Sequence, residues 1–494
     1  MIQFSYKRPI FEKTSTFVYV FKSFLQFNKF TQFQGIRGGV SVISERLLSA
    51  NIPNTKDFDA TKEATAIFYT DCSNLYGKAM SEKLPYDRIR WMTSEEIDVF
   101  DITTFNAEQN TGMILQVELD YPEYLHDLHS DYPLAPDHLK ITREMLSPTA
   151  KRFLDDNGQK FTAHTRLAPN LFNKEKYIVH VKTLQLYLSL GMILKKIHRG
   201  VTFRQKAWLK PYIDFNTRKR QEATNDQEKD YHKLAINCIF GKNMENVRLY
   251  TNIKMIQNGR QHALYTSRPQ FKRFEIIDDN LVVAELLKPE VILNKPIYCG
   301  LAILDLSKRH MFDFHYNCIK KTFKDVRLAF TDTDSLLYTL KTDNLSRELE
   351  KIKSKMDFSN YPHTHRLYNT SRKNIPGFFK DEMKSISIKQ FCGLHAKCYS
   401  ILSSENKQKL ATAGIRAAVH NELTHQRFVN VLANNNYYNV SQKTILSKNH
   451  QPYTIETERI GISALDTKRY LLDDYVRTLP YGHYKTLSMC SMYL

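Results

Sequence analysis

Apolar residues in this chain fall into short runs rather than long periodic stretches. The run Ala64-Thr65-Ala66-Ile67-Phe68-Tyr69-Thr70 reads as a strand buried on both faces, because apolar character continues without alternation. It stops at Asp71. Two further segments, Val326–Ala329 and Leu336–Leu340, bracket Phe330-Thr331-Asp332-Thr333-Asp334-Ser335, a pattern of strand, tight turn and strand. Strand-like segments recur at 281–285 and 297–304. Helical spacing runs over 176–198, through Val181, Leu184, Leu188 and Met192, and again over 222–240. A glycine-bearing turn, Gly35-Ile36-Arg37-Gly38-Gly39, leads into Val40–Ile43. Residues 81–180 are mixed, with turn signals at Tyr121-Pro122, Tyr132-Pro133-Leu134-Ala135-Pro136 and Ser147-Pro148. A polar, basic loop is expected at 359–374, and helix mixed with turn from 415 to 494. Repeats, low-complexity tracts and flexible linkers are absent from the sequence, so any domains are expected to share one interrupted sheet.

Composition narrows the class. Of 494 residues, 42% are hydrophobic and 25% charged, the mix of a folded chain rather than a disordered one. Lysine and arginine exceed aspartate and glutamate by 71 − 52 = 19, which points to a polyanionic partner, nucleic acid before an acidic membrane surface. The seven cysteines at 72, 238, 299, 318, 392, 398 and 490 show no C-x-x-C spacing. That argues against a zinc ribbon or disulfide scaffold and fits a reducing compartment, nucleus or cytoplasm. No apolar run is long enough to span a membrane, and the aromatic stretch Phe17–Phe27, interrupted by Lys22, is not a signal peptide.

Three local patterns carry chemistry. Asp332 and Asp334 flank one turn, where two carboxylates repel unless a proton or cation intervenes; a divalent metal with oxygen ligands answers that need. Alone, the pattern is also that of a solvated Asp-rich turn. Asp71 ends an apolar strand and could project into a cleft, although Asp before a helical turn is an ordinary cap. Lys229, Lys233, Asn237 and Phe240 are spaced by four, four and three, which aligns them on one helix face, with Tyr231, Leu234, Ala235 and Cys238 free to face a core. Two ammonium groups one turn apart suit a triphosphate, and a solvated basic face otherwise. A strand-end Asp, a Lys helix and an Asp-Thr-Asp hairpin, in that order, are together the chemistry of nucleotidyl transfer.

The three segments resemble motifs A, B and C of family B DNA polymerases: D-x-x-S-L-Y-P against Asp71-Cys-Ser-Asn-Leu-Tyr-Gly77, K-x-x-x-N-S-x-Y-G against Lys233-Leu-Ala-Ile-Asn-Cys-Ile-Phe-Gly241, and Y-x-D-T-D-S against Phe330-Thr-Asp-Thr-Asp-Ser335. Lys397-Cys398-Tyr399 matches the K-x-Y motif. The surroundings resemble the protein-primed branch, as in Polinton/Maverick-type transposons and related viruses. The carrying stretches are Gly35–Gly39, Tyr124–His129 with Tyr132–Pro136, Trp208–Ile213, Lys295–Tyr298 with Ile303–Ser307, and Asp466–Tyr470 with Gly482-His483. Asn74, Gly77, Cys238, Phe240 and Ile36 depart from the family's usual residues, none of them a metal-binding carboxylate. Seventy residues precede Asp71, too few for the family's exonuclease domain, so the chain is expected to be N-terminally truncated and without proofreading.

The resemblance implies an α+β right-hand polymerase: a palm with an antiparallel sheet, helical fingers and a small thumb, with insertions of the protein-primed type. Residues 1–34 stay unassigned. The palm is expected at 35–80 and 296–424, an insertion with palm-linked helices at 81–205, fingers at 206–250, a second insertion at 251–295 and the thumb at 425–494. Asp71, Asp332 and Asp334 would hold two Mg²⁺ ions, with Mn²⁺ as a substitute, Asp332 more peripherally. Leu75, Tyr76, Lys229, Lys233, Asn237 and Phe240 would bind the dNTP. Arg37, Gly38, Gly39, Gly241, Lys397 and Tyr399 would contact DNA. Template, primer, dNTPs and a terminal protein primer are the implied partners, with no membrane. The function implied is DNA-directed DNA synthesis in replication of a transposon or virus-like element. The alternative is a catalytically inactive, transposon-derived relic that binds DNA. Reverse transcription is disfavoured by Asp-Thr-Asp in place of Tyr-x-Asp-Asp.

Other candidates have plainer readings. His126 and His129 with Asp127 lack further ligands at helpful spacing and are expected to be structural. Trp91 and Trp208 are expected as packing anchors, and His363 and His365 at the solvent. Lys351, Lys353 and Lys355 fit either an exposed face or a DNA surface.

Overall fold

The computed structural model describes residues 35–486 except 54, 56, 289, 291, 293, 416–418, 420, 421, 449 and 450; the unassigned segment 1–34 and its aromatic stretch lie outside them. At the centre is a five-stranded sheet in the order Ser41–Ile43, Arg327–Asp332, Ser335–Lys341, Thr65–Cys72, Phe379–Asp381. Every neighbouring pair is antiparallel. Its side chains alternate between two apolar layers. Phe68, Leu336 and Tyr338 point into one core, and Ile67, Tyr69 and Leu337 into the other. Burial on both faces explains why these strands read as unbroken apolar runs.

Three structures flank this sheet. A four-stranded antiparallel sheet, Gln408–Thr412, Cys398–Ser403, Ile388–His395 and Leu47–Ser49, closes one core through Ile388, Phe391 and Ile401. A second four-stranded sheet, in the order Leu84–Trp91, Ile193–Lys206, Thr111–Asp120 and Lys174–His180, packs Ile114, Ile178 and Val201 against Leu301. Leu301 belongs to the helix Ile297–Phe312, which is buried along most of its length. Against the same helix lies an antiparallel helix pair, Lys210–Glu222 and Asp226–Asn243, seated through Ile213, Ile236, Ala302 and Ile303. A separate small unit has the strands Asn252–Ile256, Leu281–Leu286 and Phe271–Asp278 with the helix Gly259–Thr266.

The expected hairpin at 326–340, the strand at 281–285 and the helix within 222–240 are present. Three expectations are corrected. Residues 297–304 form helix, not strand, because a helix buried on all sides has no polar face to reveal its period. Only Val181–Ser189 is helical within 176–198; Gly191, at φ +103, turns the chain into the long strand Ile193–Lys206. The tail is dominated by a two-stranded ribbon, Tyr437–Lys448 paired with Gln451–Ser463, after the helix His425–Ala433. Polar residues on both faces of that ribbon hid its alternation. Among the described residues no helix is long and apolar enough to cross a membrane.

Candidate active site at the end of the central sheet

Register brings the acidic residues together. Asp71 lies directly opposite Ser335, and Ser335 opposite Asp332. Asp334 occupies the turn between the two hairpin strands, where Thr333 takes φ +64. The turn is tied on both sides: Thr333 N–H donates to Val40 O at 2.7 Å, and Cys72 N–H to Asp334 O at 2.8 Å. Ser335 Oγ donates to Asp71 Oδ1 at 2.9 Å. Burial, then the charges of Asp334 and Glu382, pushes the Asp71 carboxyl well above the usual carboxylate range. Burial, then Asp332 and Glu382, pushes Asp334 up as well. Asp332 is turned differently. Its Oδ1 takes the Lys397 ammonium at 2.7 Å, which leaves Asp71 and Asp334 as the facing pair.

Glu382 escaped the sequence reading. It follows the edge strand Phe379–Asp381, which pairs with Thr70–Cys72, and its N–H donates to Tyr69 O at 2.9 Å. Its carboxylate pairs with Lys409 at 2.8 Å. The available signal was weak: Lys380 and Asp381 separate Glu382 from the apolar Phe378-Phe379. Among the described residues no cluster of three or more His, Cys, Asp or Glu side chains is closed enough to hold a metal ion. The acidic corner is a facing pair with two further acids held by lysines.

The residues after Asp71 explain two departures from the motif. Asn74 caps the short helix Leu75–Met80 from the left-handed region, φ 48, and accepts the Gly77 N–H at 3.1 Å. A Cβ at Gly77 would lie 2.3 Å from that Asn74 side chain, so Asn74 and Gly77 fit only as a pair. Tyr76 stacks on Phe240 with ring centroids 4.4 Å apart and planes 14° apart, which joins this helix to Asp226–Asn243. Leu75, expected at the dNTP, has its side chain buried in the core.

On the helix Asp226–Asn243, Lys233, Asn237 and Gly241 are exposed, and Lys229 pairs with Asp226 at 3.0 Å on the surface. The expected core face is reversed. Tyr231 and Leu234 are 66% and 62% exposed, while Ile236 is buried and Ile239 and Phe240 pack behind it. A Cβ at Gly241 or Gly38 would meet nothing within 4 Å; at Gly39 it would strike Thr333 Oγ1 at 2.4 Å. Gly39 thus lets the first turn press against the acidic turn.

Two residues expected at DNA have buried side chains. Arg37 is buried, with Nε donating to Asp137 Oδ1 at 3.0 Å, Nη1 to Ile178 O at 3.0 Å, and the guanidinium 3.8 Å over the Tyr177 ring. Tyr399 is buried too; its hydroxyl lies 3.0 Å from that of Tyr69. Both shape the site from inside.

The plainer candidates sort themselves. Tyr121 OH bonds His129 Nδ1 at 2.8 Å and Tyr484 N–H donates to His126 Nδ1 at 3.1 Å, which makes both histidines structural. The Trp208 indole N–H donates to Pro85 O at 3.3 Å, and Trp91 lies under Arg199. His363 is exposed, but His365 is half-buried and bonds Ser346 Oγ at 3.2 Å. Lys351 pairs with Glu348 at 2.6 Å, while Lys353 and Lys355 are exposed.

No known family model matches the chain, and no curated protein is similar to it in sequence. Among solved structures it is similar to Phi29 DNA polymerase in an orthorhombic crystal form, with a TM-score of 0.52 and 13% identity over 88% of this chain and 63% of that one. It is equally similar to Phi29 DNA polymerase complexed with primer-template DNA and incoming nucleotide substrates, with a TM-score of 0.52, 14% identity and the same coverage. The chain therefore spans 63% of the length of these polymerases and shares their fold.

Proposed function

We propose that this chain is a DNA-directed DNA polymerase of the protein-primed kind, which adds nucleotides from dNTPs to a primer 3′-hydroxyl or a protein primer. The observation that carries the reading is the facing pair Asp71 and Asp334 at the end of the central sheet, in a fold shared with a polymerase solved with primer-template and nucleotide. Replication of a transposon or virus-like element is the setting that the motifs suggest. The central sheet would be the palm, the helix pair 210–243 the fingers, and the helix and ribbon after 425 the thumb. The remaining segments, 81–205 and 251–295, would be the insertions that handle DNA and a terminal protein.

The donor set fits a hard divalent cation. Asp71 and Asp334 offer only oxygen, are half-buried, and hold like charges that resist ionising together. Asp71 and Asp334 would hold Mg²⁺ or Mn²⁺, with Asp332 at the margin. When bound, such ions stabilise charge on the attacking and leaving oxygens of an in-line displacement at phosphorus. The chain's own groups do the positioning. Lys229 and Lys233 would take the triphosphate. The Tyr76–Phe240 stack would floor the sugar and crowd a ribose 2′-hydroxyl. Asn237 would line the nascent base pair, and open space at Gly38 and Gly241 would admit the template. Lys397 would reach the primer terminus, held until then on Asp332. Arg37, Leu75 and Tyr399 would support these groups from the interior.

Primer extension on a DNA template by purified protein, with Mg²⁺ and dNTPs, tests the reading beside Asp334→Asn. Extension by the parent and loss in the variant is the expected result. A folded parent that binds DNA and extends nothing would establish the inactive relic instead.

A further inference from the structure

Positive charge gathers at the edge of the central sheet farthest from the Lys229 helix. Ser41, on the edge strand, is the register partner of Asp332. Lys468 reaches this strand from the C-terminal region, and its Nζ donates to Ser41 O at 3.0 Å. Its backbone is fixed on both sides. Lys468 N–H donates to the buried Asp466 at 2.8 Å, and the next residue, Arg469, is buried and bonded to Thr478 Oγ1 at 2.6 Å. Thr467 Oγ1 lies 3.4 Å from His164 Nε2, which draws the strand His164–Ala168 alongside. Arg166 is two residues on from His164 and so shares its face; it is exposed.

Neither Lys468 nor Arg166 has an ion-pair partner among the described residues. Lys468 is half-buried with only a neutral carbonyl as acceptor, and burial is the main influence that lowers its pKa. The buried Lys308 and Lys182 each have a carboxylate within 4 Å, whereas the buried Lys174 has only the oxygens of Asn170 as acceptors. The charges of Asp466 and Asp332 offset part of the cost of withdrawing the Lys468 cation from water, while Arg166 and Lys397 add to it, and an incoming anion offsets the remainder.

We infer that Lys468 and Arg166, beside Lys397, form a phosphate-binding site for the backbone of the primer strand near its 3′ end. The inference rests on the polymerase reading. Phosphate could arrive on a strand or on a nucleotide, and position favours the strand. The nucleotide's lysines sit on the helix Asp226–Asn243, which packs by Leu75–Met80 at the end of strand Thr65–Cys72. Lys468 sits at the opposite edge of the sheet, past Asp332.

The test is binding of the full chain to a fluorescent primer–template duplex across a range of KCl concentrations. Loss of one phosphate contact lowers the slope of log K against log salt by about 1. Lys468→Met and Arg166→Met should each show that loss, with the dNTP KM unchanged, and Lys468→Arg should retain the parent slope. Arg166 is exposed on the strand His164–Ala168, so its variant serves even where Lys468→Met fails to fold. An unchanged slope in folded variants overturns the site. So does a raised dNTP KM with the slope intact, which would assign these cations to the triphosphate. A slope lost in the variants of a parent that extends no primer would support the phosphate site and overturn the polymerase reading.

Discussion

Two groups of buried charge stand close together in this molecule, and they are built on opposite plans. Behind the glycine turn, the cations Arg37 and Lys308 each have an acidic partner. Arg37 meets Asp137 at 3.0 Å, Lys308 meets Asp305 at 3.7 Å, and Lys308 Nζ also donates to Arg37 O at 2.7 Å. Burial pulls Lys308 down to about 8 and Asp305 up, so both are pressed toward neutrality, and proximity holds them charged. At the end of the central sheet the balance fails. Among the described residues, the cations paired there, Lys397 and Lys409, are taken by Asp332 and Glu382. Asp71 and Asp334 face each other with like charge. A balanced cluster holds the fold by itself, whereas a cluster short of positive charge is one that a bound cation would complete.

The largest break in this contrast comes from neutralising the unbalanced side. Asp71→Asn removes a repelling charge, so without divalent ions the variant should melt higher, by about 1 kcal/mol of added stability. The same change should cost extension about three orders of magnitude or more. Thermal melts and single-turnover extension read the two effects separately, and a variant less stable than the parent would abolish the distinction. On the balanced side, Arg37→Met leaves Asp137 and the carbonyls of Ile178 and Gly35 without their donor. Asp137 is partly exposed and can be solvated, but leaving buried carbonyls without their donor costs about 1–3 kcal/mol, so this variant should unfold at lower denaturant. If it kept the parent's stability and lost only DNA affinity, Arg37 would be a surface contact after all.

Sequence made the unbalanced side visible and hid the balanced one. Asp71, Asp332 and Asp334 each sit where an apolar run stops, so their strand ends and hairpin could be read before any geometry. Arg37 reads as a basic residue in a glycine turn, the usual place for a phosphate contact. Its burial depends on Asp137 and Tyr177, 100 and 140 residues away in sequence, and no local pattern records that. Glu382 was missed because strand Phe379–Asp381 is too short to show a period. The helix Asp226–Asn243 was found, but its buried face was inverted: the pair of helices turns Ile236 inward and leaves Tyr231 and Leu234 in water, against the hydrophobic count.

A third cluster sharpens the contrast by pH. Burial pushes His129 down to about 3 and His483 down to about 4. His129 is packed by Tyr121, Tyr316 and the charges of Lys320, Asp131, His315 and His126. His483 is packed by Asp127, His126, Lys485 and Arg469. Both are neutral in the fold and gain a proton on unfolding below about pH 6.5. Their contribution is therefore complete above pH 6.5 and is lost as pH falls toward 4, at up to about 1.4 kcal/mol per pH unit for each. Melting temperature should drop between pH 7 and 5, and His483→Asn, which keeps an acceptor for the Lys485 N–H, should flatten that drop.

The smallest effect separates shape from stability at one residue. Gly241 lies in the last turns of the helix Asp226–Asn243, and a Cβ there would meet nothing within 4 Å. Alanine suits a helix interior better than glycine by about 0.5–1 kcal/mol, so Gly241→Ala should melt slightly higher than the parent. The fold itself gives no reason for glycine at this exposed position. If a template base approaches the helix there, the added methyl will raise the KM for primer–template while the melt improves. A variant that gains stability and extends primers as the parent does would show instead that the open space beside Gly241 is solvent, and would move the proposed template path elsewhere on the molecule.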